Sequence, residues 1–233
     1  EILKEAGYFN AHLGKWHLSH YSNNGGKAPF VFGGDKTQPT MEAYGYDYWF
    51  ATGNVARPSH KNPQNFFRNG KPVGPLQGYS AQIIAQEFAN WIHKTRTADK
   101  PFFIPVWFHE PHGPISSDPR FMSRYGNDAD VKLKQYLGNI TQIDDAVGAI
   151  VKSLEAAGLT DNTLIWYTSD NGPAGDDEHN FKSNFRGSTG GLRGRKAHTH
   201  EGGIRVPGII KWPTGMKRAG VASGTTSDVP IVG

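Results

Sequence analysis

Four polar clusters carry side chains suited to holding a doubly charged anion beside a metal ion. They are Gly14-Lys15-Trp16-His17, His109-Glu110-Pro111-His112, Ser169-Asp170-Asn171-Gly172, and the run from Lys196 to Glu201-Gly202-Gly203. Lys15 and Lys196 supply fixed positive charge, and the histidines exchange protons near neutral pH. Asp170 and Asn171 set a carboxylate beside an amide oxygen, hard donors that suit Ca2+ or Mg2+ better than Zn2+. Two such donors are too few for a calcium ion, so others must come from elsewhere. The chain has no Cys, and no activated nucleophile accompanies the clusters.

Each cluster has a plainer alternative. Lys15 and His17 stand two residues apart, so an extended backbone points both at one anion. The alternative is a surface lysine and a histidine packed beside Trp16. A turn at Gly172-Pro173 lets Asp170 and Asn171 face one ion, yet an Asx turn uses the same residues. In the His109 cluster the spacing is shorter than in the His-Glu-x-x-His helix of zinc proteases. Pro111 also opposes a helix, which excludes that class. A histidine in a loop at a sheet edge can instead contact substrate or protonate a leaving group. His112 suits that role better than His109, for which a bond to a backbone carbonyl is the simpler account. Arg193, Arg195, His198 and His200 compete with Lys196 for contact with an anion, and Glu201 can fix the loop by pairing with one of them. Asp144-Asp145 and Asp176-Asp177-Glu178 read as solvated acidic pairs rather than metal ligands.

These clusters need a scaffold that presents them together. Residues 101–108 and 163–168 are apolar runs predicted as strands buried on both faces, and a polar cluster follows each. Between them, residues 130–157 carry Leu133, Leu137, Ile140, Val147, Ile150, Val151 and Leu154 at helical spacing, and Gly158 ends the helix. A second helix is predicted over 80–96 through Ile84, Phe88, Trp91 and Thr95. Strand, helix, strand is a crossover unit. It predicts an α/β fold with a mostly parallel sheet and ligands beyond the carboxyl ends of its strands. Shorter strands are predicted at 8–13, 46–50 and 203–213, and a loop at 176–196. The irregular region 19–78 holds Tyr44, Tyr46, Tyr48, Trp49, Phe66 and Phe67, which either stack on a sugar ring or fill the core. Residues 1–7 read as the last turns of a helix capped by Gly7, so the chain reads as a piece of a longer one.

Composition narrows the function further. At 233 residues and 36% hydrophobic content the chain can bury a sizeable core. Its net charge of +4 is spread out, without the basic stripe of a nucleic-acid binder. No apolar stretch reaches the length of a membrane span. Without Cys there is no disulfide framework and no thiol nucleophile.

Taken together, the clusters resemble the type I sulfatases of the alkaline phosphatase-like superfamily. The resemblance rests on Gly7-Tyr8-Phe9 before Gly14-Lys15-Trp16-His17-Leu18, on His109-Glu110-Pro111-His112-Gly113-Pro114, and on Thr168-Ser169-Asp170-Asn171-Gly172-Pro173. It is completed by residues 192–207 and Trp212-Pro213. It implies a three-layer α/β/α sandwich and a catalytic domain represented here without its N-terminal portion and C-terminal subdomain. Asp170 and Asn171 would ligate Ca2+, with Mg2+ as the alternative. Lys15 and Lys196 would hold sulfate oxygens, His112 would protonate the departing alcohol, and His17 would sit against the nucleophile. That nucleophile is a formylglycine, made by a maturation enzyme from Cys or Ser in a Cys/Ser-x-Pro/Ala-x-Arg motif. No such motif occurs in the chain, so the residue is expected upstream of Glu1. Thr52 is a weak match to a hydroxyl that many members use. The implied substrate is a sulfate ester, carried by a small molecule or a carbohydrate, and the implied location is periplasmic, secreted or lysosomal. A phosphomonoester or phosphonate hydrolase and a noncatalytic anion-binding relative are the alternatives.

Overall fold

The computed structural model describes residues 2–18, 39–126, 130–174 and 186–214. They fall in two compact units, residues 1–153 with 181–186, and residues 154–180 with 187–233.

The first unit is organised around one strand. A short helix, α1 (Ile2–Glu5), is closed by Gly7 at φ +82°, with the Tyr8 N–H returning to the Leu3 carbonyl at 2.9 Å. This is the predicted glycine cap. The chain then enters β1 (Phe9–Lys15), whose Ala11 and Leu13 are fully buried. On one side β1 pairs in parallel with β2 (Tyr48–Thr52), Lys15 opposite Thr52. Two short antiparallel strands, β3 (Phe67–Arg68) and β4 (Lys71–Pro72), extend that edge. On its other side β1 pairs in parallel with β5 (Phe102–Phe103) and β6 (Val106–Trp107), Gly14 opposite Trp107.

The single strand expected over 101–108 is thus two short ones. Pro105 has no N–H to give to a ladder, but its carbonyl accepts the Leu13 N–H at 3.0 Å. Nor is the run buried on both faces: Phe103 is 44% and Trp107 40% exposed.

Helix α2 (Ser80–Asn90) continues into one π turn (Trp91–Thr95). Its buried Ser80, Ala81, Ile84, Ala85 and Phe88 form one stripe, the pattern of an amphipathic helix against a sheet. Trp91 extends the stripe and packs on Phe9 and Phe102, ring centroids 5.7 and 5.6 Å away. Glu87 of α2 clamps the sheet. It receives two bonds from Arg68, at 2.6 and 2.7 Å, and one from the Tyr48 hydroxyl. A short helix, α3 (Pro119–Met122), follows, capped by Asp118.

The long helix α4 (Val131–Ala156) packs behind α2, where Ala81 and Ala85 meet Ala146. Its buried stripe differs from the apolar one expected. Asn139 and Gln142 are fully buried beside Ile143 and Ala146, while Ile140 is 41% exposed. The second core cluster joins Trp16, Met41, Trp49, Ala51 and Phe67. Tyr48, Trp49, Phe66 and Phe67 are therefore core residues, and Tyr44 remains exposed.

In the second unit β7 (Ile165–Thr168) pairs antiparallel with β8 (Gly208–Lys211). The strand expected over 203–213 starts late because residues 201–204 form a helical turn, α5 (Glu201–Ile204). β5 and β6 belong to the sheet of the first unit and β7 to the two-stranded sheet of the second, an α/β arrangement in keeping with the expected fold class. The predicted loop at 176–196 lies partly outside the described residues, and 186–196 contains no helix or strand. No described helix is long and apolar enough to cross a membrane.

Candidate active site

Lys15 is the last residue of β1 and is half-buried. The extended backbone that would align it with His17 stops there. Trp16 turns into the core, and His17, exposed, adopts φ +51°. Both still bond along the β2 side: Trp16 N–H to the Thr52 carbonyl at 3.0 Å, His17 N–H to the Gly53 carbonyl at 2.9 Å. His17 is one of few non-glycine residues in the left-handed region, where backbone strain concentrates at functional sites.

Lys15 is pinned from beneath by His12. The buried His12 ring lies edge-on to Trp16, Tyr46 and Trp107, and its Nε2 lies 3.2 Å from the Lys15 carbonyl. A carbonyl can only accept, so Nε2 carries the hydrogen and Nδ1 is left buried without a partner. Burial lowers the His12 pKa from 6.5 to about 4, and the bond to Lys15 offsets only part of this.

Beyond β6 the chain turns sharply, the His112 N–H bonding the His109 carbonyl at 2.9 Å. The peptide bonds before Pro111 and Pro114 are cis. His109 is buried with Nε2 2.7 Å from the Thr52 hydroxyl. Thr52 gives its own hydrogen to the Asn54 carbonyl at 2.6 Å, so His109 is the donor in this pair. Its partner is thus a side-chain hydroxyl rather than the backbone carbonyl expected. Burial holds the His109 pKa well below its ordinary value, and the charge of Lys15, like protonation of His60, His112 or His12, pushes it the same way. Lys15 and His112 therefore both bear on one buried, neutral imidazole. His112 is half-buried, and its Nδ1 lies 2.8 Å from the Gly113 carbonyl. Nδ1 therefore holds a hydrogen, and the proton His112 can trade is the one on Nε2.

Glu110 and His60 were not singled out by the sequence. Both side chains are fully buried, 4.0 Å apart. Glu110 Oε1 accepts from the Ser80 hydroxyl at 2.5 Å, the Ala81 N–H at 3.0 Å and the Gln142 amide at 3.0 Å. Asn139 donates to His60 Nδ1 at 3.3 Å. Burial lowers the His60 pKa, with Glu110 and the His112 backbone pulling the other way. The available signal was in α4. Asn139 and Gln142, three residues apart on its inner face, mark a polar network there.

In the second unit Asp170 is exposed at the end of β7, and Asn171 is half-buried. The Asn171 amide nitrogen donates to the Gly172 carbonyl at 2.8 Å, which leaves its oxygen as the donor for a cation. The pair fits a hard cation in chemistry but not in number. Among the described residues no cluster of three or more acidic, histidine or cysteine side chains could hold a metal.

Backbone contacts fasten the Lys196 loop to this strand end. Lys196 N–H bonds the Pro173 carbonyl at 3.0 Å, Gly172 N–H the Gly203 carbonyl at 2.8 Å, and Gly202 N–H the Arg193 carbonyl at 2.8 Å. The Arg195 guanidinium adds a bond to the Ala174 carbonyl at 3.1 Å. Glycine is required for such approach: a Cβ on Gly172, Gly202 or Gly203 would lie 2.0–2.1 Å from a carbonyl oxygen. Lys196 is half-buried beside Ala197 at φ +72°, whereas Arg193, His198 and His200 are exposed. Glu201 pairs with Arg205 at 2.7 Å rather than with a cation of the loop. Asp170, Asn171 and Lys196 are thereby brought into one body; Lys15, His17 and His112 belong to the other.

N-acetylgalactosamine-6-sulfatase from Mus musculus is 30% identical over 229 residues, covering 91% of this chain and 39% of its own length. N-acetylgalactosamine-6-O-sulfatase from Bacteroides thetaiotaomicron is 28% identical, covering 93% of this chain and 51% of its own length. The chain thus spans about half, or less, of these relatives. Ps i-CgsB, solved with k-i-k-neocarrahexaose, superposes with a TM-score of 0.71 at 25% identity, covering 91% of this chain and 46% of that one. The sulfatase family model matches residues 1–232, a span that contains all four polar clusters, and on that match the chain belongs to the sulfatase family.

Proposed function

We propose that this chain is the later part of the catalytic domain of a sulfuric ester hydrolase acting on a sulfated carbohydrate. One observation carries the reading. β1 and β6 run side by side in parallel, so Lys15 and the 109–112 turn leave the same edge of the sheet. That edge, beyond the carboxyl ends of parallel strands, is where such folds bind ligands. The carbohydrate preference is supported by the names of the two relatives and by the oligosaccharide bound to Ps i-CgsB.

In this reading Lys15 and Lys196 hold the sulfate oxygens and offset the charge that grows on the bridging oxygen as the ester breaks. His112 delivers its Nε2 proton to the departing alcohol, so no bare alkoxide is expelled. His17 would sit against the nucleophile and help release sulfate from it. Asp170 and Asn171 contribute oxygen donors to a Ca2+ site, with Mg2+ as the alternative; the cation would neutralise the sulfate. A formylglycine, made by a maturation enzyme, would supply the attacking hydroxyl. A periplasmic, secreted or lysosomal site fits this class.

The test is turnover by the protein carrying the upstream segment, on 4-nitrophenyl sulfate against 4-nitrophenyl phosphate. Sulfate ester hydrolysis is expected to dominate, and Lys15→Ala to lower kcat/KM about 100- to 1,000-fold, the scale for one lost charge-stabilising donor. Residues 1–233 alone are expected to show no turnover. Faster phosphate hydrolysis would move the protein to the phosphoester hydrolases, and binding of sulfate esters without turnover would make it a noncatalytic relative.

A further inference from the structure

Helix α2 begins without a cap of its own. The residue at its N-cap, Tyr79, makes no side-chain bond to the first turn. Four N–H groups at a helix start lack partners within the helix, and the dipole there favours negative charge. Glu110, some thirty residues away, supplies both needs. One carboxylate oxygen collects the Ser80 hydroxyl and the Ala81 N–H of α2, and the Gln142 amide of α4.

Glu110 also lies within the turn that carries His112. The turn is held on one side by the His109–Thr52 bond to β2 and on the other by Glu110 at α2 and α4. His60 completes the linkage. It sits 4.0 Å from the Glu110 carboxylate, and its imidazole senses both that charge and the His112 backbone. Asn139 donates to His60 Nδ1, so the neutral ring keeps its hydrogen on Nε2.

We infer that Glu110 is a positioning residue for His112: it ties the 109–112 turn to the start of α2 and so fixes where the His112 imidazole delivers its proton. The inference rests on the sulfate ester hydrolase reading. Glu110 touches no reacting atom and acts through the turn.

The test uses the full-length enzyme and two esters. 4-Nitrophenyl sulfate releases a good leaving group that needs no proton, whereas a sugar or alkyl sulfate releases a poor one. Glu110→Ala is expected to lower kcat on the sugar sulfate about 10- to 100-fold, part of what a general acid contributes, with KM little changed. On 4-nitrophenyl sulfate its effect is expected within about threefold. Glu110→Gln keeps an acceptor oxygen for Ser80 and Ala81 and should restore most of the rate. In the His112→Ala background, Glu110→Ala should cause no further loss. Equal losses on both esters, additive losses with His112→Ala, or a Glu110→Gln variant as slow as Glu110→Ala would each overturn the inference. Should Glu110→Ala not fold, Glu110→Asp, one methylene shorter with its charge kept, gives the same two-ester comparison. Absence of sulfatase turnover in the wild-type full-length enzyme counts instead against the functional reading.

Discussion

Gly14→Ala is expected to destabilise the first unit by about 3–5 kcal/mol, combining backbone strain with overpacking. Gly14 has φ +102°, a conformation that costs any other residue. A Cβ there would stand 2.0 Å from the Trp107 carbonyl oxygen and 3.3 Å from Ile84 Cδ1. The side chain of Ile84 can give way, but the Trp107 carbonyl belongs to the strand paired with β1. Relief therefore means parting β1 from β6, which also moves Lys15 away from the 109–112 turn. Urea unfolding followed by tryptophan fluorescence reads the effect, since Trp16, Trp49 and Trp91 are all buried in this unit. A change below about 0.5 kcal/mol, the range of an ordinary surface substitution, would show that the strand pair is more pliant than its geometry implies.

Acid should weaken the same unit before its carboxylates protonate. His12 titrates at about 4 in the folded chain against 6.5 when unfolded. The unfolded state therefore binds the proton more tightly, and stability falls as pH drops below 6.5. The contribution is complete above pH 6.5 and lost by about pH 4, amounting to about 3 kcal/mol. His60 and His109 are displaced in the same direction by burial and add to the slope. Among the described residues no negative charge compensates at His12: its ring meets Trp16, Tyr46 and Trp107, and its bond goes to a neutral carbonyl. His12→Phe keeps an aromatic ring in that cage and removes the titration. Urea midpoints between pH 7.5 and 5 should fall more steeply for wild type than for the variant. Equal slopes would mean that His12 is already protonated in the folded state or meets water freely.

What was legible in the sequence follows from periodicity and from glycine. The helix over 130–157, its stop at Gly158 and the cap at Gly7 are local signals, and the structure places them within a residue or two. The resemblance of four separated clusters pointed to the fold. Pairing was less legible. Residues 101–108 look like one continuous strand because apolar character says nothing about a proline's missing donor. The alternation that would set Lys15 and His17 on one face presumes an extended chain, and the positive φ at His17 ends that extension. Glu110 reads as an ordinary loop acid, since its role as a helix cap comes from residues about thirty positions away on either side. His60 lies in a stretch without regular pattern, and only the fold brings it to Glu110.

The glycine contacts at 172, 202 and 203 divide labour within the second unit. Position there is fixed largely by main-chain bonds, with the Arg195 guanidinium and the Asn171 amide adding one bond each to a carbonyl. Asp170 and Lys196 can consequently be exchanged with little disturbance to the path that carries them, whereas Asn171 also braces the Gly172 carbonyl. The loop is a socket into which other anion- or cation-binding groups can be fitted one at a time. A designer seeking a different oxyanion preference would leave the glycines untouched and vary the plugs.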